Sequence, residues 1–588
     1  MRALAGTAFA ILAGLRLATL AGAQEPPDDP VESFGERVEV ELVEVEVRVT
    51  DKKGRPVTGL TREDFRVYDD GRPVEIEYFT EYRDAVVAAE KGAAEAAAPA
   101  AEPGETPAEV APAALEDSTY LVIFLDQVHL EPGGRSRILE DLGEFVTADL
   151  PPDVPVMVVS YDGGVEITQD FTTERPPVLD ALAAEEEAAA GVFEAVRRRS
   201  ALRRMEHIYL KWVNTPACPE GTDPCNCALP EMETAAREHA SEVGAGVEQT
   251  LGGLASVVAA LRGVPGRKLV LLVTDGLEAR PGLDLFHYIA DICPQHEQEV
   301  SRYYTSEDLL SAINDVASDS SANRVTVYTL EATGLRGDAA DMSVGSSQFR
   351  PSLLTQRMLT GNLQHSLFVM AEQTGGKAVL NANRFDQALE DLAEDQGTYY
   401  SLGYRPGHAG DGRVHLIRVE VDAPNYQLRY RKSYRDKPLE TRIAERALAS
   451  LLFDIGDNPL GVRAETGEAA ALAGGGHRVP VRIWVPLAGL TLVPDAGGLE
   501  GRLRVVLAVS EPDGSLGAVR QKLVPIEVGP ADGEGRLPEQ LVEVSVDLAG
   551  DSHLLALAVR DEIGGETSYL RHEVRLGALS QTRLEPQR

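Results

Sequence analysis

Hydrophobic and polar residues alternate in the first part of the chain. Residues 38–50 read VEVELVEVEVRVT, in which Val alternates with Glu or Arg. A period of two indicates a strand with one buried face. Asp69, Asp70 and Gly71 separate two further short strands and are typical of a hairpin turn. We therefore predict an all-β module over residues 32–83.

The pattern changes after this module. Residues 84–116 consist mostly of Ala, Pro and Glu. Because this segment has almost no large apolar side chain to bury, ordering it would bring little stabilisation, and we predict a flexible linker.

Continuous apolar runs then replace the alternation. Residues 120–125 read YLVIFL and are followed by Asp126, and residues 268–274 read KLVLLVT and are followed by Asp275. Such runs are typical of parallel strands covered by helices on both faces. Strands and helical segments alternate over residues 117–396, which predicts a doubly wound α/β domain with a helical, cysteine-containing insertion. Ligands of such sheets bind beyond the carboxyl ends of the strands, where both aspartates lie.

The last third of the chain returns to short strands. Residues 397–435 form a predicted β extension rich in Tyr and Arg, and residues 436–477 a helix and a linker. About six short strands separated by Gly, Asp and Pro then predict a β-sandwich over residues 478–580. The expected fold class is therefore multi-domain, with an α/β doubly wound domain flanked by all-β modules.

Composition narrows the possible functions. Among the 588 residues, 94 Asp and Glu oppose 56 Lys and Arg, so the formal net charge is −38. Nucleic-acid binding needs clustered cations, and we therefore predict no nucleic-acid partner.

The sequence contains no G-x-S-x-G, H-E-x-x-H or G-x-x-x-x-G-K-[ST] motif. We therefore expect a protein that is not an enzyme.

Residues 1–23 are typical of a secretory signal peptide. Arg2 precedes an apolar stretch that ends at Leu20, and residues 21–23 form an A-x-A cleavage site. A membrane anchor is the alternative, but the stretch is short for a span and Arg16 interrupts it. No later apolar run is long enough to cross a membrane. We therefore predict an exported chain, periplasmic or extracellular, with no transmembrane helix after cleavage.

The cysteines are expected to form disulfides. The chain contains four, at Cys218, Cys225, Cys227 and Cys293. An even number in an exported chain favours two disulfides, and three connectivities are possible. A metal cluster is the alternative, but C-x-C lacks the usual C-x2-C spacing of zinc sites.

Five regions of the chain are distinctive in their order and spacing. They are VTDKKGRPVTGLTREDFRVYDDGRPVEIEYF (49–79), LVIFLDQ (121–127), PGRKLVLLVTDGLE (265–278), AEQTGGKAV (371–379), and TYYSLGYRP (398–406) with YQLRYRKSY (426–434). In this order they resemble the exported von Willebrand factor A-related proteins of bacteria, notably acidobacteria. The resemblance covers residues 35–435 and implies a von Willebrand A-type domain that binds a protein or cell-envelope partner.

The resemblance also implies a metal-ion-dependent adhesion site. Its pattern is Asp-x-Ser-x-Ser, a Thr and a second Asp, which hold Mg²⁺ or Mn²⁺ and leave a position for a carboxylate of the partner. The matching candidates here are Asp126, Thr250 and Asp275. Val128 and Leu130 occupy the two Ser positions and offer no side-chain ligand. We therefore expect a degenerate site.

Other roles stay open for these residues. Asp126 and Asp275 can instead cap the helices that follow them, and Thr250 can belong to a helix. His129 can supply a nitrogen ligand, which would favour a transition metal, or it can face solvent.

Tyr399, Tyr400, Tyr404 and Arg405 form a second candidate binding site. Tyr and Arg are frequent in protein interfaces, so these side chains can form an exposed recognition stripe. Ordinary strand packing is the alternative.

Three functional hypotheses follow. The first is an exported, non-enzymatic binding protein of the adhesion type that uses the α/β domain. The second is a structural scaffold of the cell envelope in which that domain binds no ligand. The third is a hydrolase that uses Asp126, His129 and Asp275.

Overall fold

The structure is a computed structural model. It describes residues 42–83, 118–187, 192–214, 218–219, 222–303, 308–334, 350–382, 385–386, 389, 398–408, 410–423, 425–453, 455–472, 476–495, 498–510, 519–528, 539–548 and 552–575. The predicted signal peptide and the predicted Ala/Pro/Glu linker lie outside these ranges.

Four strands precede the α/β domain. They are β1 (Val43–Thr50), β2 (Phe65–Asp69), β3 (Arg72–Val74) and β4 (Ile76–Tyr82). β2 and β3 form the predicted hairpin, in which Asp70 and Gly71 have φ angles of 46° and 78°. This left-handed conformation matches the twist of a tight hairpin, and Asp-Gly is one of the pairs that adopt it most readily.

The α/β domain follows, with strands and helices in alternation. Its strands are β5 (Thr119–Asp126), β6 (Val156–Tyr161), β7 (Val165–Thr172), β8 (Arg267–Thr274), β9 (Val325–Glu331) and β10 (Ala378–Val379). Its helices are α1 (Pro132–Ala148), α2 (Arg175–Glu187), α3 (Val192–Val213), α4 (Pro224–Ala260), α5 (Leu283–Ile292), α6 (Glu297–Val300), α7 (Leu310–Ala322) and α8 (Leu353–Thr374).

These six strands form one sheet in the order β10-β9-β8-β5-β6-β7. Neighbouring strands are parallel except for β7, which pairs with β6 in the antiparallel direction at the edge. α1 and α2 bury their apolar side chains on one face, and α4, α7 and α8 on the other. This is a doubly wound sheet, as the apolar runs predicted.

A helical cap extends from the α/β domain. It consists of α3, the first half of α4, and α5, and it has a separate core that includes Leu202, Met205 and Tyr288. The 37 residues of α4 span about 55 Å, so one helix joins the cap to the sheet. Disulfides Cys218–Cys227 and Cys225–Cys293 lie in the cap. The prediction of two disulfides is confirmed, and the structure selects one of the three connectivities.

Four strands follow the α/β domain. They are β11 (Tyr399–Tyr404), β12 (Val414–Val421), β13 (Gln427–Arg429) and β14 (Ser433–Arg435). They interleave with β1–β4 in two sheets, β13-β1-β11-β4 and β14-β12-β2-β3, with a shared core. We call this unit the first sandwich. The sequence suggested two separate modules here, whereas the structure joins both segments in one, with the α/β domain inserted between β4 and β11.

The rest of the chain forms the second sandwich. A helix, α9 (Leu439–Phe453), precedes its strands and packs on β19 and β22 as well as on the α/β core. The strands are β15 (Arg463–Thr466), β16 (Ala470–Ala471), β17 (His477–Pro486), β18 (Val493–Asp495), β19 (Gly498–Ser510), β20 (Arg520–Val528), β21 (Glu539–Leu548), β22 (Ser552–Asp561) and β23 (Thr567–Arg575). β15 and β16 pair with β17, so the sheet begins before residue 478. No helix of the described residues is long and apolar enough to span a membrane.

Candidate functional site

The two aspartates predicted at strand ends lie at neighbouring strands. Asp126 is the last residue of β5, and Asp275 directly follows β8, which pairs with β5. Thr250 lies inside α4, on the face that packs against the sheet. We call Asp126, His129, Thr250, Thr274 and Asp275 the Asp126 cluster.

Asp126 is fully buried, and protein groups engage one of its carboxylate oxygens. The Thr274 hydroxyl donates to Oδ2 at 2.9 Å, and His129 Nδ1 lies 2.8 Å from the same oxygen. Because a carboxylate only accepts, His129 Nδ1 carries the proton in this contact. Asp126 Oδ1 has no hydrogen-bond partner among the described residues. The carboxylate therefore holds the β5 and β8 ends together.

Asp275 contacts the start of α1. Its Oδ2 accepts a hydrogen bond from the backbone N–H of Glu131, the residue before the first turn of α1, at 2.7 Å. The first N–H groups of a helix have no partner within the helix, so an acidic side chain there is stabilising. This is the capping role that the sequence left open for Asp275.

The two positions that hold Ser in the family pattern are apolar and packed. Leu130 is fully buried among the side chains under α1, and Val128 packs against the core on the other face of the sheet. Neither can coordinate a metal, and both fill space that a hydroxyl would leave partly empty.

Tyr161 covers the cluster from the end of β6. Burial and the nearby Asp126 carboxylate raise the pKa of its phenol, and its interaction with Thr250 opposes this shift. The ring lies against Gly253, where an added Cβ would come within 2.7 Å of it. Thr250 and Tyr161 are both buried on this side of the cluster.

The Asp126 cluster does not fit an octahedral Mg²⁺ or Mn²⁺ site. Such an ion needs about six oxygens, but both Ser positions are apolar, and one oxygen of each aspartate already accepts hydrogen bonds. Among the described residues, no group of three His, Cys or acidic ligand atoms within 4.8 Å includes Asp126 or Asp275. Burial also leaves no open position for a partner's carboxylate.

The structure corrects the expectation of an exposed Tyr stripe. Tyr399, Tyr400 and Tyr404 are buried, and only Arg405 is exposed, where it contacts Glu77 at 3.1 Å. β11 lies inside its sheet, with one face in the core of the first sandwich. Its other face meets the α/β domain, where the Arg267 guanidinium lies 4.4 Å from the Tyr399 ring centre. Tyr399 therefore joins the two domains, whereas Tyr400 and Tyr404 lie in the core of the first sandwich.

Charged residues fix the first sandwich to the α/β domain. Arg324 contacts Glu44 at 2.7 Å, and Arg267 contacts Glu46 at 2.8 Å. Burial opposes the charge on Glu46, but the surrounding arginines, Arg267 first, outweigh it and lower its pKa. The cavity between them holds about 30 Å³, room for about one water. This region is a domain contact rather than a ligand pocket.

A second polar cluster lies at one end of the first sandwich. Asp69 and Asp70 come from the β2–β3 hairpin, and the other members come from the β11–β12 loop, β12, β14 and the residue after β14. We call the set the Asp69 cluster: Asp69, Asp70, His408, Asp411, His415, Tyr434 and Asp436. Sequence reasoning missed it, because its members come from segments more than 300 residues apart. The one local signal was two His and one Asp within residues 408–415.

Large apolar side chains are exposed on one face of α8. Leu353, Leu354, Met358 and Phe368 are 59%, 54%, 37% and 50% exposed. Successive residues of an α-helix are rotated by about 100° around the helix axis, so these four side chains fall within an arc of about 140° around that axis. On the same helix, Asn362 accepts from the backbone of Arg280 at 2.8 Å, which places the helix beside the loop after β8. We call these four residues the α8 stripe.

The comparisons with known proteins are weak. No family model and no curated protein matches the chain. Among solved structures, an aerotolerance-related membrane protein from Bacteroides fragilis is 12% identical over 47% of this chain and 98% of its own, with a TM-score of 0.22. BatB from Bacteroides thetaiotaomicron is 11% identical over 47% and 97%, with a TM-score of 0.21. Manganese-loaded TRAP protein from Plasmodium vivax is 9% identical over 54% and 94%, with a TM-score of 0.22. Likenesses this low decide neither family nor function.

Proposed function

We propose that this chain is an exported, non-enzymatic binding protein whose von Willebrand A-like domain recognises a protein partner without a bridging metal. The α8 stripe carries the proposal. Several large apolar side chains exposed on one face of a helix are typical of protein interaction sites. The helix that carries the stripe contacts the loop after β8 through Asn362, on the side of the sheet where α/β folds bind their ligands.

The closed Asp126 cluster supports recognition without metal. A bridging ion needs an open coordination position, whereas Asp126 is fully buried and its Oδ2 accepts from Thr274. The same burial argues against hydrolysis at Asp126, since water and substrate have no access to the carboxylate.

Export is supported by the two disulfides. Disulfides persist in oxidising compartments and are rare in reducing ones. Four cysteines in two pairs leave no free thiol in the chain. An exported chain with a protein-binding face is consistent with a role at the cell envelope or outside the cell.

A structural scaffold is the second candidate. The Arg324–Glu44 ion pair fixes the α/β domain on one side. On the other side α9 packs against it, with the ring centres of Phe453 and Phe171 5.3 Å apart. Domains held this firmly suit a spacer whose own surfaces bind nothing.

Crosslinking from the α8 stripe separates the two candidates. A photo-reactive amino acid is placed at Met358 or Phe368 in the full chain, and at Leu523 of β20 as a control that is 51% exposed. The chain is then expressed in its own host and irradiated. We expect both α8 positions, but not the control, to capture the same protein, and Leu354→Asp to reduce the yield at Met358 by about tenfold, a loss of 1.4 kcal/mol.

Two outcomes would contradict the proposal. Equal yields at all three positions would mean nonspecific contact and would favour the scaffold. A crosslink within the chain itself would mean that another segment of this protein covers the stripe.

A further inference from the structure

The Asp69 cluster brings together three separate regions of the first sandwich. The β2–β3 hairpin supplies Asp69, the β11–β12 loop supplies His408, and β12 supplies His415. Asp69 and His415 are buried, whereas the His408 side chain is 26% exposed. The site is therefore formed by buried elements and is open to solvent on the His408 side.

The two imidazoles lie side by side, and each has a carboxylate at its Nδ1. Their rings stack with centres 3.6 Å apart and an angle of 13° between the ring planes. His408 Nδ1 lies 2.8 Å from Asp436 Oδ2, and His415 Nδ1 lies 2.8 Å from Asp70 Oδ2. A carboxylate on one ring nitrogen fixes the tautomer and increases the basicity of the other nitrogen, as in carboxylate–histidine–zinc arrangements. The Nε2 atoms have weaker contacts, since His408 Nε2 lies 3.2 Å from the Tyr434 hydroxyl and His415 Nε2 lies 3.1 Å from Asp411 Oδ1, and a bound ion would replace these contacts.

Asp69 supplies an oxygen that no protein group engages. The Tyr434 hydroxyl donates to Asp69 Oδ2 at 2.8 Å, and His408 Nε2 lies 3.4 Å from the same oxygen. Asp69 Oδ1 is buried and has no hydrogen-bond partner among the described residues. A buried carboxylate oxygen without a partner is costly, and a cation would remove that cost.

The cluster also carries excess negative charge, which favours a cation. Four aspartates surround two histidines, so negative charge remains even when both imidazoles are protonated. Within the described chain, no Lys or Arg forms an ion pair with any of the four.

We propose that Asp69, His408 and His415 bind one divalent transition-metal ion, for which Zn²⁺ is the best match. One ligand atom from each residue lies within 4.8 Å of the other two. Zn²⁺ takes imidazole and carboxylate ligands at about 2.0–2.2 Å, so small side-chain rotations would close the site. Water can fill the fourth position on the open side, near His408.

A second ligand set shares His408 and adds Asp411 and Asp436. We assign the ion to the first set, because Asp69 and His415 are buried and Asp436 is already used to orient His408. The ion would then join the hairpin before the α/β domain to the strands after it, and its role would be structural.

Metal titration of the full chain tests this assignment. The protein is stripped with chelator and titrated with Zn²⁺ by calorimetry, and with Co²⁺ by visible absorption, which reports coordination geometry. We expect one ion per chain. Because outer partners of a metal ligand change affinity by about 10–100-fold, Asp436→Asn should weaken binding about tenfold and Asp69→Asn or His408→Gln by more than about 100-fold.

Controls make the result decisive. His365→Gln, on the exposed face of α8, should bind as the parent does. Equal unfolding midpoints of parent and variants in chelator would show that the variants fold. Binding that is absent in the parent, unchanged in Asp69→Asn and His408→Gln, or lost instead in His129→Gln would overturn the proposal.

Discussion

The Asp126 cluster and the Asp69 cluster both gather aspartate and histidine at strand ends, but they satisfy the carboxylates differently. Around Asp126 and Asp275 the partners are a hydroxyl, a backbone N–H and one imidazole. Around Asp69 four carboxylates share two imidazoles. The first cluster has two carboxylates and engages one oxygen of each, whereas the second holds four carboxylates against two imidazoles.

The comparison shows why a sequence pattern alone does not identify a metal site. The two aspartates expected as metal ligands lie at the sheet end, where Asp126 accepts from Thr274 and Asp275 accepts from the N–H before α1. Metal-type geometry instead occurs where no family pattern predicted it.

Restoring the family pattern should damage the Asp126 cluster. Leu130→Ser removes a fully buried side chain and places a hydroxyl in the core, so we expect a loss of about 4 kcal/mol of unfolding free energy. Val128→Ser, at a half-buried position, should cost less. Urea denaturation measures both. If the variant with both Val128→Ser and Leu130→Ser keeps its stability and binds Mg²⁺, these positions are not needed for packing. The Asp126 cluster would then be a metal site, and the proposed difference between the two clusters would be wrong.

Removing the Asp126 carboxylate should also destabilise the fold. Asp126→Ala leaves the Thr274 hydroxyl and the His129 N–H buried without an acceptor, which costs about 3 kcal/mol. Asp126→Asn keeps one acceptor oxygen and should therefore lose less unfolding free energy than Asp126→Ala. The comparison is made by urea denaturation at neutral pH. An Asp126→Ala variant as stable as the parent would mean that the carboxylate is retained for ligand binding.

Metal removal should affect only the sandwich that holds the Asp69 cluster. At a free Zn²⁺ concentration of 100 times Kd, the bound ion raises the free energy of unfolding by about 2.7 kcal/mol. Hydrogen exchange with and without chelator should therefore differ at β2, β12 and β14 and stay equal at β19 and β22. Changes centred on β5 and β8 would place the ion at the other cluster.

Two neighbouring glycines of α4 test whether Tyr161 closes the Asp126 cluster. An added Cβ at Gly253 meets the Tyr161 ring, whereas one at Gly252 meets nothing within 4 Å. Ala is favoured over Gly inside a helix by about 1 kcal/mol, so Gly252→Ala should stabilise by that amount. Gly253→Ala should destabilise by about 1 kcal/mol, because the clash exceeds this gain. Thermal denaturation compares the two, and equal shifts would mean that Tyr161 is not fixed there.

The sequence predicted what depends on local patterns. Continuous apolar runs located β5 and β8 because a strand buried on both faces has no polar face. Asp126 and Asp275 follow those runs directly, so their position at one edge of the sheet was predictable. The partners that close the cluster were not, because Thr250 and Tyr161 reach it from another helix and strand.

Long-range pairing was beyond sequence reasoning. β1 pairs with β11, about 350 residues away, and no local signal specifies that partner. The burial of Tyr400 follows from this pairing, which explains why an exposed stripe was a reasonable but wrong expectation. The Asp69 cluster depends on the same pairing of distant segments.

The insertion of the α/β domain has a mechanical consequence. Tyr82 and Tyr399 are direct partners on adjacent strands, so the chain leaves and re-enters the first sandwich at one place. Tension applied between β1 and the second sandwich would pass through the first sandwich and bypass the inserted domain. The α8 stripe would therefore keep its shape under load until the first sandwich ruptures.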